Sequence, residues 1–225
     1  MLNKSDCELL IKVFDFWNDL SPDERNTLSS NTTCISYKQG ESVYNTDHKC
    51  LGALIVKRGE LRTFILSETG KEITLYRLLP SDVCILSASC LISQITFDVH
   101  IEAEEDSEVL LVDLAVFSKL IEQNVLVENF SLKVAVDKFS DVMWTMEQIL
   151  FLNFDRRLAI FLVDEASRTG SNDISLTHQQ IAKYMGSARE VVSRMMKYFE
   201  KEGYVSCYRG GVKITNRFAL QKLIR

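Results

Sequence analysis

Between Val125 and Thr169 the chain contains neither proline nor glycine. Those two residues are the usual interruptions of a helix, so this stretch is committed to helical structure over most of its length. Within it, Leu132, Val136, Phe139, Met143, Met146 and Leu150 follow a 4-3-4-3-4 spacing, the seam of a coiled coil. A helix over 125–152 would be roughly 40 Å long at about 1.5 Å per residue. That length favours a two-fold partner helix lying along the seam. The same spacing also suits an ordinary helix buried in its own core. Val142 and Ile149 fall off the seam and are expected to face the chain's own preceding domain. Asn153 to Arg157 reads as a break or hinge. DRRLAIFLVDEASR then makes a second helix that ends at Gly170.

The segments on either side differ in kind. Residues 1–30 read as short helices, with Ser21 as a cap and Pro22, Asp23 and Glu24 in the first turn. From about 32 to 112 the pattern is one of short strands. ALIVKRGELRTFIL holds two apolar runs split by Arg58-Gly59-Glu60, and LSETGKEITLYRL has a turn at Thr69-Gly70-Lys71. Both read as hairpins. ITFDVHIEA alternates as a half-buried strand should, and EVLLVD reads as one more strand. Strands without intervening helices suggest a sandwich or jelly-roll-like domain. AVFSKLIEQ follows as a short amphipathic helix.

The net charge of −5 gives no reason to expect a nucleic acid, but its distribution does. Residues 168–225 carry eleven Lys/Arg against four Asp/Glu, a net of +7, while residues 1–167 carry a net of −12. A polyanion-binding C-terminal domain is the physical expectation. No apolar run reaches the roughly 18 residues of a membrane span, and MLNKSDCELL lacks the pattern of a signal peptide. A cytoplasmic protein with reduced cysteines is expected, with no membrane partner. G-x-S-x-G, H-E-x-x-H and Walker A patterns are absent, so an enzyme is not expected, and neither is a catalytic residue, a bound metal or a cofactor.

The stretch LTHQQIAKYMGSAREVVSRMMKYFEKEGYV carries the most chemistry. It reads as two helices joined by a tight turn at Gly186. Thr177 with Gln180, and Ser187 with Glu190, have the spacing of capping boxes. Ile181 and Ala182 give the first helix its packing face, and Val192, Met195, Met196 and Phe199 form the inward face of the second. Glu190, Ser193, Arg194, Lys197 and Lys201 lie opposite, with Arg189 beside them. VSCY, Arg209-Gly210-Gly211 and VKIT make a small wing. A helix-turn-helix sets its second helix in the major groove. Arg189 and Arg194 are candidate guanine readers and Glu190 a candidate cytosine reader, unless its capping box turns it back on the Ser187 backbone. Ser193 suits a base or a phosphate. Thr177, His178, Lys197 and Arg209 are candidate backbone contacts.

These residues resemble the Crp/Fnr family of bacterial transcription regulators, across essentially the whole chain. The family pattern in the recognition region is close to G-x-S-R-E-T-V-x-R, and here it stands as Gly186-Ser187-Ala188-Arg189-Glu190-Val191-Val192-Ser193-Arg194. Arg189, Glu190 and Arg194 match base-reading positions of the Crp branch, and Ser193 is similar to the serine of the Fnr branch. Ala188 departs from the usual Ser or Thr, which shifts the expected cap to Ser187. The resemblance implies an α+β fold: a cyclic-nucleotide-binding-like β-roll (a double-stranded β-helix or jelly roll) over 1–124, a dimerisation helix over 125–152 and a winged helix-turn-helix over 153–225. It implies an effector-controlled homodimer on a palindromic promoter site of double-stranded DNA, with half-sites one turn apart. RNA polymerase is a candidate partner. An effector or redox change would re-aim the DNA-binding domains through the Asn153 hinge.

Family members that bind cyclic nucleotides carry Gly-Glu for the ribose and Arg-Ser/Thr for the phosphate. Here Ile85-Leu86 and Phe97-Asp98 stand in those places. A phosphate would lose its cation and meet Asp98, so cAMP is not the expected effector. Cys84 and Cys90 form a candidate redox pair, or two small buried hydrophobes. His48 and Cys50 are candidate haem ligands, while the cysteine spacing does not fit the Fnr iron–sulfur pattern. His100 is expected to face solvent or a carboxylate. The alternative function is a haem- or thiol-based gas or redox sensor whose main output is not DNA binding.

Overall fold

The computed structural model describes residues 2–45, 52–85 and 99–224. Two short helices come first, each started by its own side chains. In α1 (Lys4–Val13) the Asn3 side chain accepts from the Asp6 amide, and Asp6 accepts from the Asn3 amide. Helix α2 (Pro22–Ser30) has the expected Ser21 cap and Pro22 in its first turn, and Glu24 completes a reciprocal box that the sequence reading did not name. A 3-10 turn, Trp17–Asp19, lies between them.

Eight strands follow among the described residues: β1 (Thr32–Tyr37), β2 (Ser42–Tyr44), β3 (Ala53–Arg58), β4 (Leu61–Leu66), β5 (Glu72–Leu78), β6 (Val83–Cys84), β7 (His100–Ala103) and β8 (Ser107–Val112). They form two four-stranded sheets, in the orders β1-β8-β3-β6 and β2-β7-β4-β5. This order corrects one expectation, because β3 and β4 are not a hairpin. β3 pairs with β8 and β6 while β4 pairs with β7, so Gly59 carries the chain from one sheet to the other. Its φ is +87°, and a Cβ there would lie 2.7 Å from Ser107 Cα. Conformation and space both require glycine. The second expected turn does close a hairpin: β4 and β5 are neighbours, and the Gly70 amide donates to Ser67 O.

Burial on two sides explains the unbroken apolar run of β3. Leu54 and Val56 meet Leu61, Ile101, Ala103 and Val109 between the sheets. Ala53 and Ile55 belong to a second core with Leu10, Leu28, Phe117 and Phe130. Within that core Phe14 stacks on Phe16 at 5.0 Å and meets Phe130 edge-on at 5.5 Å. β7, in contrast, buries only Ile101 and Ala103 and leaves His100 and Glu102 half-exposed, the alternation expected of it. Residues 95–98 of that run lie outside the described residues. Lys57 ties α1 to the sheet, with its Nζ 2.8 Å from Asp6 Oδ1 and 3.2 Å from Glu108 Oε2.

Asp113 caps α3 (Leu114–Gln123), which leads into α4 (Val125–Phe151). One side of α4 enters the cores through Val127, Phe130 and, as anticipated, Val142. The six seam residues are outside them, each 45–65% exposed. The expected break after α4 is confined to Leu152 and Asn153, because α5 (Phe154–Thr169) already includes Arg156 and Arg157. Gly170, in the left-handed conformation, ends α5 as foreseen.

Contacts divide the chain into two compact units, Met1–Leu66 with Leu75–Val142 and Ser67–Thr74 with Met143–Arg225. The second unit holds β9 (Asp173–Ile174), α6 (His178–Met185), α7 (Arg189–Lys201), β10 (Val205–Tyr208), β11 (Gly211–Ile214) and α8 (Arg217–Ile224). Its three strands pair in the order β10-β11-β9. The sequence reads the region of β9 as a loop, since two residues have no period to detect. Leu158, Leu162, Ile181, Val192, Met196, Phe199, Val205 and Val212 form its core. No helix among the described residues is long and apolar enough to cross a membrane.

The two glycine turns should respond differently to a methyl group. Gly70 has open space around it, so Gly70→Ala should lose only the backbone term of about 1–2 kcal/mol. Gly59→Ala should lose clearly more, because the Ser107 backbone must also move. Urea unfolding of the two variants checks this, and equal losses would refute the packing argument.

Candidate nucleic-acid interface

Helix α6 starts with the capping box read from the sequence. The Gln180 amide donates to Thr177 Oγ1 at 3.2 Å, and the Thr177 amide to Gln180 Oε1 at 2.9 Å. Ile181, Ala182 and Met185 form its buried face. Gly186, at φ +58°, ends it in the left-handed conformation, and the Ser187 amide reaches back to Ala182 O at 3.0 Å. This closure sets the tight turn. A residue outside the motif reinforces it: Arg157 on α5 donates from Nη2 to Met185 O at 2.8 Å. Burial lowers the Arg157 pKa, yet a guanidinium stays charged there and suits the negative end of α6. Sequence reasoning assigned Arg157 to a hinge and so missed this role.

The start of α7 differs from expectation. Ala188, not Ser187, holds the N-cap position, and no side chain caps the helix. The ladder begins with the Val191 and Val192 amides donating to Ala188 O. A box needs its Glu or Gln three residues after the cap. With the cap at Ala188, Glu190 is one residue too early, so the Ser187–Glu190 box does not form. Glu190 is therefore not turned back on the Ser187 backbone.

Helical spacing brings the other candidates together. Val192, Met196 and Phe199 are buried and Met195 half-buried, while Arg189, Glu190, Arg194 and Lys197 are exposed and Ser193 is half-exposed. Arg209 is exposed at the tip of the wing. Leu176, Thr177, His178, Gln179, Arg189, Tyr208, Gly210 and Gly211 line a groove of about 380 Å³ between the wing and the two helices. Tyr208 was not anticipated. Its hydroxyl donates to the Asp173 carboxylate, which holds the phenol pKa above its ordinary value. Its ring fills the space beside Gly211, where a side chain has no room. The aromatic residue just before Arg209-Gly210-Gly211 was the available signal. Burial and then the Arg189 charge lower the His178 pKa, opposed by Glu200.

The redox and metal candidates fare differently. Cys84 is fully buried and lies beside the Tyr76 hydroxyl, an environment for a small apolar side chain rather than a reactive thiolate. Cys90, His48 and Cys50 lie outside the described residues. Among the described residues no group of three His, Cys, Asp or Glu side chains could hold a metal ion. His100 is half-exposed, in keeping with the expectation that it faces solvent, and its ring also stacks on Phe64 at 5.2 Å.

The uncapped start of α7 offers a direct test. Ala188→Ser should stabilise the protein by about 0.5–2 kcal/mol, since its hydroxyl can accept one of the free amides. Urea unfolding followed by circular dichroism measures this, and no gain would refute the cap assignment.

Comparison with known proteins agrees with this geometry. Residues 156–223 match the model of the Crp-like helix-turn-helix domain, and residues 34–124 that of the cyclic nucleotide-binding domain. The transcriptional activator protein Anr of Pseudomonas aeruginosa is 25% identical over 176 residues, 75% of this chain and 71% of its own length. The transcriptional activator protein FnrA of Stutzerimonas stutzeri is 24% identical over 193 residues, 81% of this chain and 77% of its own. A crystal structure from Eubacterium rectale, of a protein assigned to the Crp/Fnr transcriptional regulators, superposes with a TM-score of 0.91 at 41% identity. That match spans 95% of this chain and 99% of the other. A two-sheet N-terminal domain, a long helix and a winged helix-turn-helix, together with a relative this similar over nearly the full length, place the chain in the Crp/Fnr family of transcription regulators.

Proposed function

We propose that the chain works as a homodimer that reads a palindromic DNA site under the control of an effector other than cAMP. The observation that carries this reading is the outer face of α7. It presents Arg189, Glu190, Ser193 and Arg194 at helical spacing, with Glu190 not held by a capping box. Arg189 and Arg194 have the fork that bonds both guanine acceptors, Glu190 can accept from cytosine N4, and Ser193 suits either role. Thr177, His178, Lys197 and Arg209 lie around them as backbone contacts, which fix register without reading sequence.

The seam of α4 supports the dimer. Leu132, Val136, Phe139, Met143, Met146 and Leu150 form a continuous apolar line outside the chain's own cores. A second copy of the same helix fits that line by knobs-into-holes packing. Two-fold symmetry of the protein then requires two-fold symmetry of the site, with half-sites about 34 Å apart. A sensor domain over 1–124, a dimer helix over 125–152 and a DNA-binding domain over 153–225 divide the labour. Asn153, between α4 and α5, is the position we assign to the movement that couples them.

One position bears directly on the effector. Ile85 stands where cyclic-nucleotide binders of the family carry the first residue of Gly-Glu, and it belongs to the hydrophobic core with Val83 and Leu110. Leu86, Phe97 and Asp98 lie outside the described residues. Their types offer no cation to a phosphate, and an unpaired buried phosphate is costly. The output is DNA binding, not catalysis.

Selection of a bound duplex from a random library tests the reading, with affinities then measured at fixed salt. A palindrome should emerge. Arg194→Ala should lose about 1–3 kcal/mol on it and relax guanine preference at one position of each half-site. Unchanged specific affinity would overturn the base-reading role. Phe139→Glu should give monomers in sedimentation and weaken binding to the full site. A dimer that survives this change would place the subunit contact elsewhere.

A further inference from the structure

The groove beside the wing has a composition that its place in the fold does not require. Its two basic side chains, His178 and Arg189, come from the starts of α6 and α7, and no lining residue is acidic. The carboxylates nearest in effect are engaged elsewhere. Asp173 accepts from the Tyr208 hydroxyl, and Glu200 accepts from the Cys207 amide at 2.9 Å while acting on His178 through its field. Thr177 is held in its box with Gln180, and Gln179 and Tyr208 complete the polar lining. The result is a concave, half-shielded place with positive potential and no anion of its own.

We propose that this groove seats a backbone phosphate of duplex DNA beside His178, within the field of Arg189, and that His178 takes up a proton as the phosphate enters. The proposal rests on the DNA-binding reading above and adds a proton to it. In the free protein, burial and then the Arg189 guanidinium disfavour the imidazolium, against a smaller opposing effect of Glu200, so the neutral ring is favoured. A phosphate brings negative charge to the same spot and offsets the Arg189 field, which favours the charged ring. The imidazolium then gives the phosphate a charge-assisted bond. The sign follows from linkage: DNA raises the pKa of His178, so affinity rises as pH falls. The added affinity is complete below the free-protein value and is lost as pH climbs through the DNA-bound value. A phosphate contact is blind to sequence, so the effect belongs to any duplex.

The test uses the full chain and two labelled duplexes, one of arbitrary sequence at low salt and one recovered by selection. Fluorescence anisotropy between about pH 5.5 and 8 should show tighter binding at the acidic end, by about tenfold for each unit by which DNA raises the His178 pKa. His178→Gln should flatten this slope and keep the weaker affinity seen at high pH. His178→Arg should bind tightly at every pH, with a salt dependence steeper by about one released counterion. Calorimetry at pH 7 in two buffers of different ionisation heat should register proton uptake for the natural chain and none for His178→Gln. Equal pH slopes in the natural chain and His178→Gln, or no proton uptake with intact DNA binding, would overturn the inference and leave the DNA-binding reading standing. Failure to bind either duplex at any pH would overturn both.

Discussion

Helix α4 has to satisfy two environments along one cylinder, and the rest of the molecule is arranged around that requirement. Val127 and Phe130 fill the core under the first sheet, and Val142 reaches the core between the sheets. The seam from Leu132 to Leu150 stands outside both. Neither set alone explains so long a helix without a breaker. A helix of one small domain needs only its inner face to be apolar. A free-standing coiled coil needs only its seam. Carrying both lets one helix serve the N-terminal cores and, as proposed, a seam for a second copy.

Much of this was legible in the sequence because the relevant signals repeat. A seam of six residues has enough turns to declare its period, and Val142 declared its different allegiance by falling off that period. Thr177 with Gln180 announced one helix start by spacing alone, and Ser21 followed by Pro22, Asp23 and Glu24 announced another by residue type. The features that escaped were those set by partners distant in sequence. Gly59 and Gly70 look alike on paper, each a glycine between apolar runs. Which one closes a hairpin depends on whether β8 and β7 draw the flanking strands into different sheets. Two-residue β9 exists only because β11 supplies its edge.

The recognition region illustrates the same division at closer range. Which side of α7 faces outward follows from Val192, Met196 and Phe199, and these were readable from periodicity. The start of α7 was not. Ser187 and Glu190 have the right types at the right spacing, yet Gly186 closes α6 with the Ser187 amide bonded to Ala182 O. That bond places Ser187 in the end of the previous helix, and Ala188 becomes the cap by default. Arg157 was unreadable for a related reason, since its partner is a carbonyl made available only by the end of α6.

The strand order has a consequence for how the chain is made. β1 and β8 pair along their full length, from Thr32 opposite Val112 to Tyr37 opposite Ser107. Among the described residues, the first strand therefore has no neighbour in its sheet until the last has left the ribosome, at a synthesis rate of about 5–20 residues per second. Through that interval β1 presents an open edge, and pairing across so long a loop is slow by its nature. The wing sheet closes over a few tens of residues and faces no such delay. The N-terminal half is thus the part of the nascent chain most exposed to wrong partners.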